Sequence, residues 1–113
     1  MPCISTSYFA KSGKDPNAVS IARIPPDNYS GREYKLLAPP YELLKKYKLD
    51  YDAEYYIKQY KSQVLDQLDP NKVLKDLGEN AILLCWEKRG KFCHRHLVSK
   101  WFKEKLGIEV KEL

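Results

Sequence analysis

A run of six apolar residues, Ala-Ile-Leu-Leu-Cys-Trp at 81–86, constrains the fold of this chain more than any other feature. The run is bounded by turn-forming residues, and its length is that of a strand. Because apolar and polar residues do not alternate along it, we expect both faces of this strand to be covered. Strands of that kind occur in sheets with helices on their faces, which predicts an α/β domain.

Shorter segments with strand character lie near both ends of the chain. Cys3–Phe9 and Ala18–Ile24 are rich in β-branched and aromatic residues, and Ile108–Val110 alternates in polarity. Loop-forming residues at 11–17 separate the first two segments. That connection is short for a crossover, so the sequence leaves open whether these two strands are parallel or antiparallel.

Helical periodicity and capping residues predict four helices. Asp52 and Asp69 are suitable N-caps, and Pro70 fits the first position of the helix that Gly78 ends. Gly107 is a suitable end for the last helix. The four helices are expected at 41–47, from Asp52 through Leu68, from Asp69 to Gly78, and from about Cys93 to Leu106.

We therefore predict a small three-layer α/β/α domain with a mostly parallel sheet of about four strands. The order strand, helix, strand over 81–110 implies a parallel crossover. The chain has 113 residues, the usual size of one domain, so we expect residues 1–113 to form a single domain. Residues 29–40 show no period and are predicted to form an irregular surface connection.

The charge of the chain favours anionic partners. Its net charge is +5, and several of its nine tyrosines lie beside lysines between 41 and 61. A basic surface attracts anions, and tyrosine rings can stack on bases, although the same tyrosines also suit the rim of a core. We expect an anionic small molecule, a nucleotide or a nucleic acid as partner, and no membrane insertion. The oligomeric state is left open.

The cysteines indicate a reducing compartment. Cys3, Cys85 and Cys93 are odd in number and widely spaced, which does not predict a disulfide framework. Residues 1–10 lack the basic start and long apolar stretch of a secretory signal. A cytoplasmic protein with free thiols is therefore expected, and the sequence leaves open whether Cys85 and Cys93 approach each other.

A candidate site follows from the rule that open α/β sheets bind ligands beyond the carboxyl ends of their strands. The buried strand ends at Cys85–Glu87, and the next helix begins at Cys93–Arg95, which places both at one edge of the sheet. The expected ligand-binding residues are Arg95, Cys85, Ser5, Ser7 and Tyr8 of the first strand, and Arg23 of the second.

The expected chemistry of this site is that of a nucleophile in a positive environment. A helix start carries free N–H groups and partial positive charge, and Lys88, Arg89 and Lys91 would add to it. Such a setting stabilises a thiolate, so Cys93 is the candidate nucleophile. His94 is the candidate proton carrier, and Glu87 is a candidate base or nucleophile, or the partner that holds Arg95.

These residues also have purely structural interpretations. Cys85 suits a packed core thiol, Cys93 an inert helix start, Glu87 a solvated loop carboxylate, and a histidine at a helix start is often simply exposed.

A metal site is a further alternative. Cys93 and His96 are three apart on one predicted helix face and Cys85 is close by, whereas His94 is expected to face elsewhere. This spacing matches no common zinc pattern, so we assign no metal and leave the cofactor open.

Five segments, which together extend over nearly the whole chain, carry a recognisable pattern: Leu83–Glu87, Phe92–Val98, Ser20–Arg23, Tyr34–Pro39 and Tyr56–Leu65. In these segments the chain resembles the domain-of-unknown-function family 488 (DUF488). Trp86 departs from the family, which often has tyrosine or alanine there, and the phenylalanine before Cys-His-Arg resembles its compact branch. The resemblance implies an α/β fold and a site built from Cys85, Glu87, Cys93, His94 and Arg95, but no substrate.

Three functions remain open from the sequence. The first is a small enzyme that binds a phosphorylated or nucleotide-like substrate at the Cys/Glu/His/Arg site. The second is a non-catalytic module that binds nucleic acid or a nucleotide, and the third is a Cys/His metal-binding protein. A structural site, in which Arg95 and Glu87 lock the loop, is the alternative to all three.

Overall fold

Five strands form one sheet in the computed structural model, which describes residues 3–87 and 92–113. Their spatial order is β3–β2–β4–β1–β5, and every pairing within the described residues is parallel. In chain order the strands are β1 (Ser5–Tyr8), β2 (Ala18–Ser20), β3 (Arg32–Glu33), β4 (Ile82–Cys85) and β5 (Lys111–Glu112). The prediction of an α/β fold with a mostly parallel sheet is confirmed, and the apolar run forms the central strand.

Among the described residues, five helices pack around this sheet, one more than the four predicted, because the chain forms a short helix directly after β1. The caps expected at Asp52, Asp69 and Gly107 are present. The Asp52 and Asp69 carboxylates accept hydrogen bonds from backbone N–H groups in the first turns of their helices. Gly107 ends the last helix with a left-handed φ of 67°. No helix of the described segments is long and apolar enough to span a membrane. The helices are α1 (Phe9–Ser12), α2 (Tyr41–Asp50), α3 (Ala53–Gln63), α4 (Pro70–Leu77) and α5 (His94–Leu106), with 3₁₀ turns at Lys35–Leu37 and Leu65–Gln67.

The strands at and near the edges differ from the expectations. β1 and β2 both pair in parallel with β4, so the two strands flank it and form no hairpin. The stretch 29–40, expected to be irregular, contains the two-residue strand β3 and one 3₁₀ turn. The last strand was expected at 108–110 but forms at Lys111–Glu112, because the chain needs the residues after Gly107 to return to β1.

The two faces of the sheet are covered unequally. Leu83 of β4 points into the main core, which also contains buried residues from α2, α3, α4 and α5. Ile82 and Leu84 point to the opposite face, where Phe9 and Tyr29 pack against them. Both faces of β4 are therefore buried, which explains why its sequence does not alternate.

Two hydrogen-bonded contacts, one buried and one partly buried, hold the segment that leads from the sheet into α2. The Tyr60 hydroxyl in α3 donates to the Leu37 carbonyl oxygen at 2.6 Å. The Arg23 guanidinium, just after β2, donates to the carbonyl oxygens of Pro39 at 2.9 Å and Ala38 at 3.4 Å. As a result, α2 begins directly beside the carboxyl ends of β2 and β4.

Replacing Tyr60 by phenylalanine tests the first of these contacts. Tyr60→Phe removes one oxygen atom and leaves the fully buried Leu37 carbonyl without this donor. We expect the free energy of unfolding in urea to fall by about 1–3 kcal/mol. The control Tyr55→Phe, in the same helix but exposed, should change it by less than about 0.5 kcal/mol. Equal effects of the two substitutions would contradict this role.

Candidate functional site

A cleft of about 850 Å³ opens at the carboxyl edge of β2 and β4, where the strand rule predicts a site. Its lining combines aromatic rings, three cationic side chains and a group of buried sulfur and imidazole atoms. The aromatic residues are Tyr41, Tyr47, Tyr51, Tyr56, Trp86 and Phe92; the cationic ones are Arg23, Lys45 and Lys48. The buried group, here called the Cys–His cluster, consists of Cys85, Cys93 and His94.

The Cys–His cluster arises where β4 ends and α5 begins. Cys85 is the last residue of β4, and Cys93 is the N-cap of α5 with an extended backbone. The two sulfurs are bonded to each other, and the corresponding Cα atoms are 7.2 Å apart. The expectation of free thiols is thus wrong for this pair, because the fold brings the strand end onto the helix start. Cys3 is free and exposed.

His94 is the third member of the cluster, and its ring is fixed by the sheet. Its Nε2 lies 2.7 Å from the Ile21 carbonyl oxygen, which can only accept, so Nε2 carries the proton. The Nδ1 lone pair then points toward the Cys93 sulfur, 3.7 Å away. Burial lowers the pKa of His94 to about 4, and the charges of Arg95 and His96 add to this, although the bond to Ile21 opposes it. The ring is therefore neutral at pH 7.

Arg95 lies behind the cluster and is fully buried. Its guanidinium donates to the Glu112 carboxylate from Nε at 3.0 Å and from Nη2 at 2.8 Å. Its Nη1 donates to the Cys85 sulfur at 3.0 Å and to the Glu87 carbonyl oxygen at 2.6 Å. Each nitrogen of the guanidinium thus has a protein partner, so Arg95 orients the cluster.

The carboxylate that pairs with Arg95 comes from Glu112. Burial alone would raise the pKa of Glu112, but hydrogen bonds from Arg95 and Thr6 hold that pKa below its ordinary value. Glu87, the expected partner, contributes its main-chain oxygen, and its own side chain is exposed at the cleft. Glu112 was missed because the last strand was predicted to end at Val110. Extending that alternation by two residues would have placed Glu112 on the same side as the core residue Val110.

The residues predicted from the first strand do not line the cleft. Ser7 is buried on the opposite face, where its hydroxyl is hydrogen-bonded to that of Ser12 at 2.7 Å. Ser5 begins β1 and lies at the far end of the strand, while Tyr8 is in register with Cys85 at the carboxyl edge. The structure thus brings Cys85, Cys93 and His94 together in the cleft. The cleft lining does not include Ser5, Ser7 or Tyr8.

The positive charge seen in the cleft comes from residues other than those expected around the helix start. Lys88, Arg89 and Lys91 lie outside the described residues. Lys45 and Lys48 of α2 line the cleft together with Arg23. The sequence shows lysines and tyrosines next to each other in 41–61, but it does not show which of these side chains face the cleft. The position of α2 decides that, because it directs Lys45 and Lys48 to the cleft.

The candidate metal ligands also change. His96 was expected to join the cysteines, and His94 was expected to face away, from helical spacing to Cys93. Because Cys93 is extended and lies outside the helix, that spacing does not apply. The ligand atoms of Cys85, Cys93 and His94 all lie within 4.8 Å of one another.

These features define a small α/β domain with a buried Cys–His–Arg centre in a cleft at the carboxyl edge of a parallel sheet. The chain belongs to the DUF488 family: residues 9–106 match the family model DUF488-N3a, described as the active DUF488-N3 subclade. This match confirms that the chain is a DUF488 member, whereas the assignment to the compact branch stays a prediction. No curated protein and no solved structure matches the chain.

The buried neutral His94 predicts a loss of stability in mild acid. The unfolded chain binds a proton at the ordinary pKa of 6.5, whereas the folded chain binds it only near pH 4. The unfolding free energy should therefore fall as the pH drops below about 6.5, by about 3 kcal/mol at pH 4. Urea unfolding between pH 7 and about pH 4.5 measures this. His94→Asn should flatten the slope and His96→Asn should not; equal slopes in all three proteins would refute the assignment.

The Arg95–Glu112 pair predicts a second effect. Glu112→Gln removes the charge that compensates the buried guanidinium, and we expect a loss near the lower end of about 3–5 kcal/mol at pH 7. The control Glu109→Gln, which breaks an exposed pair with Lys103, should cost about 0–1 kcal/mol. Because the pKa of Glu112 is lowered by folding, the wild type and Glu112→Gln should converge in stability as the pH falls through that pKa. If the wild type and Glu112→Gln still differ equally in unfolding free energy at acid pH, the effect of the substitution does not come from the charge of Glu112.

Proposed function

We propose that this protein is an enzyme that binds a phosphorylated or nucleotide-like substrate in the cleft and acts on it at the Cys–His cluster. One observation carries the proposal: a single cleft joins exposed aromatic walls, a cationic helix face and a buried group of sulfur and imidazole atoms. Aromatic walls with a few converging polar groups are typical of small-molecule sites.

The aromatic walls suit a planar ring such as a nucleobase. Tyr51 and Trp86 are 72% and 55% exposed, so their rings are available to a ligand. The indole N–H of Trp86 donates to the Ile24 carbonyl oxygen at 2.8 Å, which fixes the ring in place. Tyr47 packs on Phe92 with ring centroids 5.1 Å apart. Stacking of one base on such a ring contributes about 1–3 kcal/mol.

The cationic face suits a phosphate. Lys45 and Lys48 are one turn apart on α2, so both ammonium groups point to the same side of the helix, and both line the cleft. Lys46, between them, points away and pairs with Asp50 at 2.5 Å while lying over the Tyr55 ring. The helix therefore directs Lys45 and Lys48 into the cleft and Lys46 away from it. A substitution of Lys46 is the matched control for substitutions of the other two lysines.

The Cys–His cluster supplies the reactive groups. In the reduced protein, the Cys93 thiol lies at the positive end of α5, and the Cys85 sulfur accepts a hydrogen bond from Arg95. Both surroundings stabilise the thiolate that forms when the thiol gives up its proton. His94 presents a neutral nitrogen to Cys93. Arg95 has its donors engaged within the protein, so the phosphate is assigned to Lys45 and Lys48 rather than to Arg95.

Calorimetric titration with a nucleoside monophosphate at low salt tests the substrate class. We expect Lys45→Ala/Lys48→Ala to weaken binding about tenfold or more, because each lost phosphate contact removes a charge-assisted interaction. The affinity for the unphosphorylated nucleoside should be nearly unchanged. Lys46→Ala should bind the monophosphate like the wild type. No detectable binding, or an equal loss in Lys46→Ala, would overturn the assignment.

Catalysis is tested separately from binding. A panel of nucleoside phosphates is incubated with reduced protein, and mass spectrometry follows each ligand. Cys93→Ser should abolish any conversion while keeping the affinity measured above, because Lys45 and Lys48 are intact. Binding without conversion of any ligand would instead favour the non-catalytic module. Oligonucleotide binding that falls steeply with salt would identify that module as a nucleic-acid binder.

A further inference from the structure

We infer that the reduced Cys85 and Cys93 sulfurs and His94 Nδ1 together form a binding site for a thiophilic divalent metal ion such as Zn²⁺. The site lies where the last residue of β4 meets the N-terminus of α5, in the wall of the cleft. The metal site does not depend on the nucleotide assignment, whereas any catalytic use of the metal rests on the proposed function.

The donor set selects the kind of metal. Two thiolates and one imidazole nitrogen are the ligands that zinc prefers, and magnesium and calcium prefer oxygen. The three ligand atoms already lie within 4.8 Å of one another, and all three residues are buried. A shift of the sulfurs after reduction is therefore enough to surround an ion with Zn–S distances of about 2.3 Å and a Zn–N distance of about 2.0 Å.

The ring of His94 is held in the orientation that a metal ligand needs. Metal-binding histidines usually donate their second ring N–H to a carbonyl or carboxylate, which fixes both tautomer and direction. Here Nε2–H donates to the Ile21 carbonyl oxygen at 2.7 Å, so the lone pair of Nδ1 is left for the ion. His96, two residues further on, lies outside this group of ligand atoms.

The sulfur of Cys85 also has an outer partner. Arg95 Nη1 donates to it at 3.0 Å, an arrangement that stabilises a thiolate. The guanidinium charge is itself compensated by Glu112, with Nη2 and Oε2 2.8 Å apart. The two negative charges of the thiolates and the two positive charges of the ion cancel, so the occupied site is neutral. Burying this neutral site costs less free energy than burying two thiolates without the ion.

The two cysteine sulfurs can be joined to each other or can bind one ion between them. Disulfide and metal site are alternative states of the same pair. A reductant such as a phosphine supplies two electrons and converts the disulfide into two thiols; Zn²⁺ then binds both sulfurs and displaces their two protons into solution.

Three protein ligands leave one coordination position, and the cleft gives access to it. Structural zinc sites are closed by four protein ligands, whereas catalytic sites keep one position for water or substrate. Among the described residues, the cluster contains three ligands and lines the cleft that holds Lys45 and Lys48. The site therefore has the composition of a catalytic rather than a structural centre.

Zinc titration of the reduced full chain, in competition with a chromogenic chelator, tests the site. We expect one ion per chain and release of two protons per ion in weakly buffered solution. Cys85→Ser and Cys93→Ser should weaken binding at least about 100-fold, and the control Cys3→Ser, at the exposed thiol, should not. His94→Asn should weaken binding at least about tenfold, and His96→Asn should leave it unchanged.

A measurement on the unaltered chain covers the case in which the cysteine variants fail to fold. X-ray absorption at the zinc edge should show two sulfur ligands at about 2.3 Å and one imidazole nitrogen at about 2.0 Å. Absence of stoichiometric zinc in the reduced protein, a ligand shell without sulfur, or dependence on His96 instead of His94 would each overturn the inference.

Nucleotide is left out of these titrations, which keeps the two proposals separable. Lys45→Ala/Lys48→Ala should bind zinc like the wild type, because the ligand atoms come from Cys85, Cys93 and His94 and from neither lysine. Zinc binding in a protein that binds no nucleoside monophosphate would support the metal site and overturn the proposed substrate class. Nucleotide binding without stoichiometric zinc would do the reverse.

Discussion

The buried charge of Arg95 is the constraint on which the rest of the structure depends. Removing a guanidinium from water costs several kcal/mol unless its donors are paired. Glu112, the Cys85 sulfur and the Glu87 carbonyl oxygen provide that pairing, so β4, β5 and the second residue after β4 all converge on α5. Arg95 thereby connects the edge strand β5 to the Cys–His cluster, and the geometry of the cluster depends on the docking of β5.

Burial separates the roles of the polar residues in this protein. The three residues of the Cys–His cluster are buried and only just reach the cleft surface, so the histidine is neutral, and its ring orientation is fixed by the Ile21 carbonyl oxygen. Lys45 and Lys48 are exposed along the rim, where their charges stay hydrated until an anion arrives. A ligand that enters the cleft thus meets flexible cations first and a rigid group of soft donor atoms last.

The sequence predicted those parts of the fold and site that depend on neighbouring residues, but not those that depend on contacts between residues distant in sequence. The apolar run at 81–86 predicted the central strand, and Asp69 with Pro70 predicted the start of α4, because those signals are local. β3 and β5 have only two residues each, too few to show a period. The Arg95–Glu112 pair joins residues 17 positions apart, which no local sequence pattern indicates. His94 joins the cysteines because the N-cap Cys93 has an extended backbone, which helical spacing does not predict.

The two tryptophans stand in opposite environments, and this gives the molecule a built-in optical probe. Trp101 lies inside the main core, so its emission follows the integrity of the fold. Trp86 lies at the mouth of the cleft with its indole held by the Ile24 carbonyl, beside the strand that ends in the cysteines. Quenching of the second at constant signal from the first therefore distinguishes occupancy of the cleft from unfolding, without any attached dye.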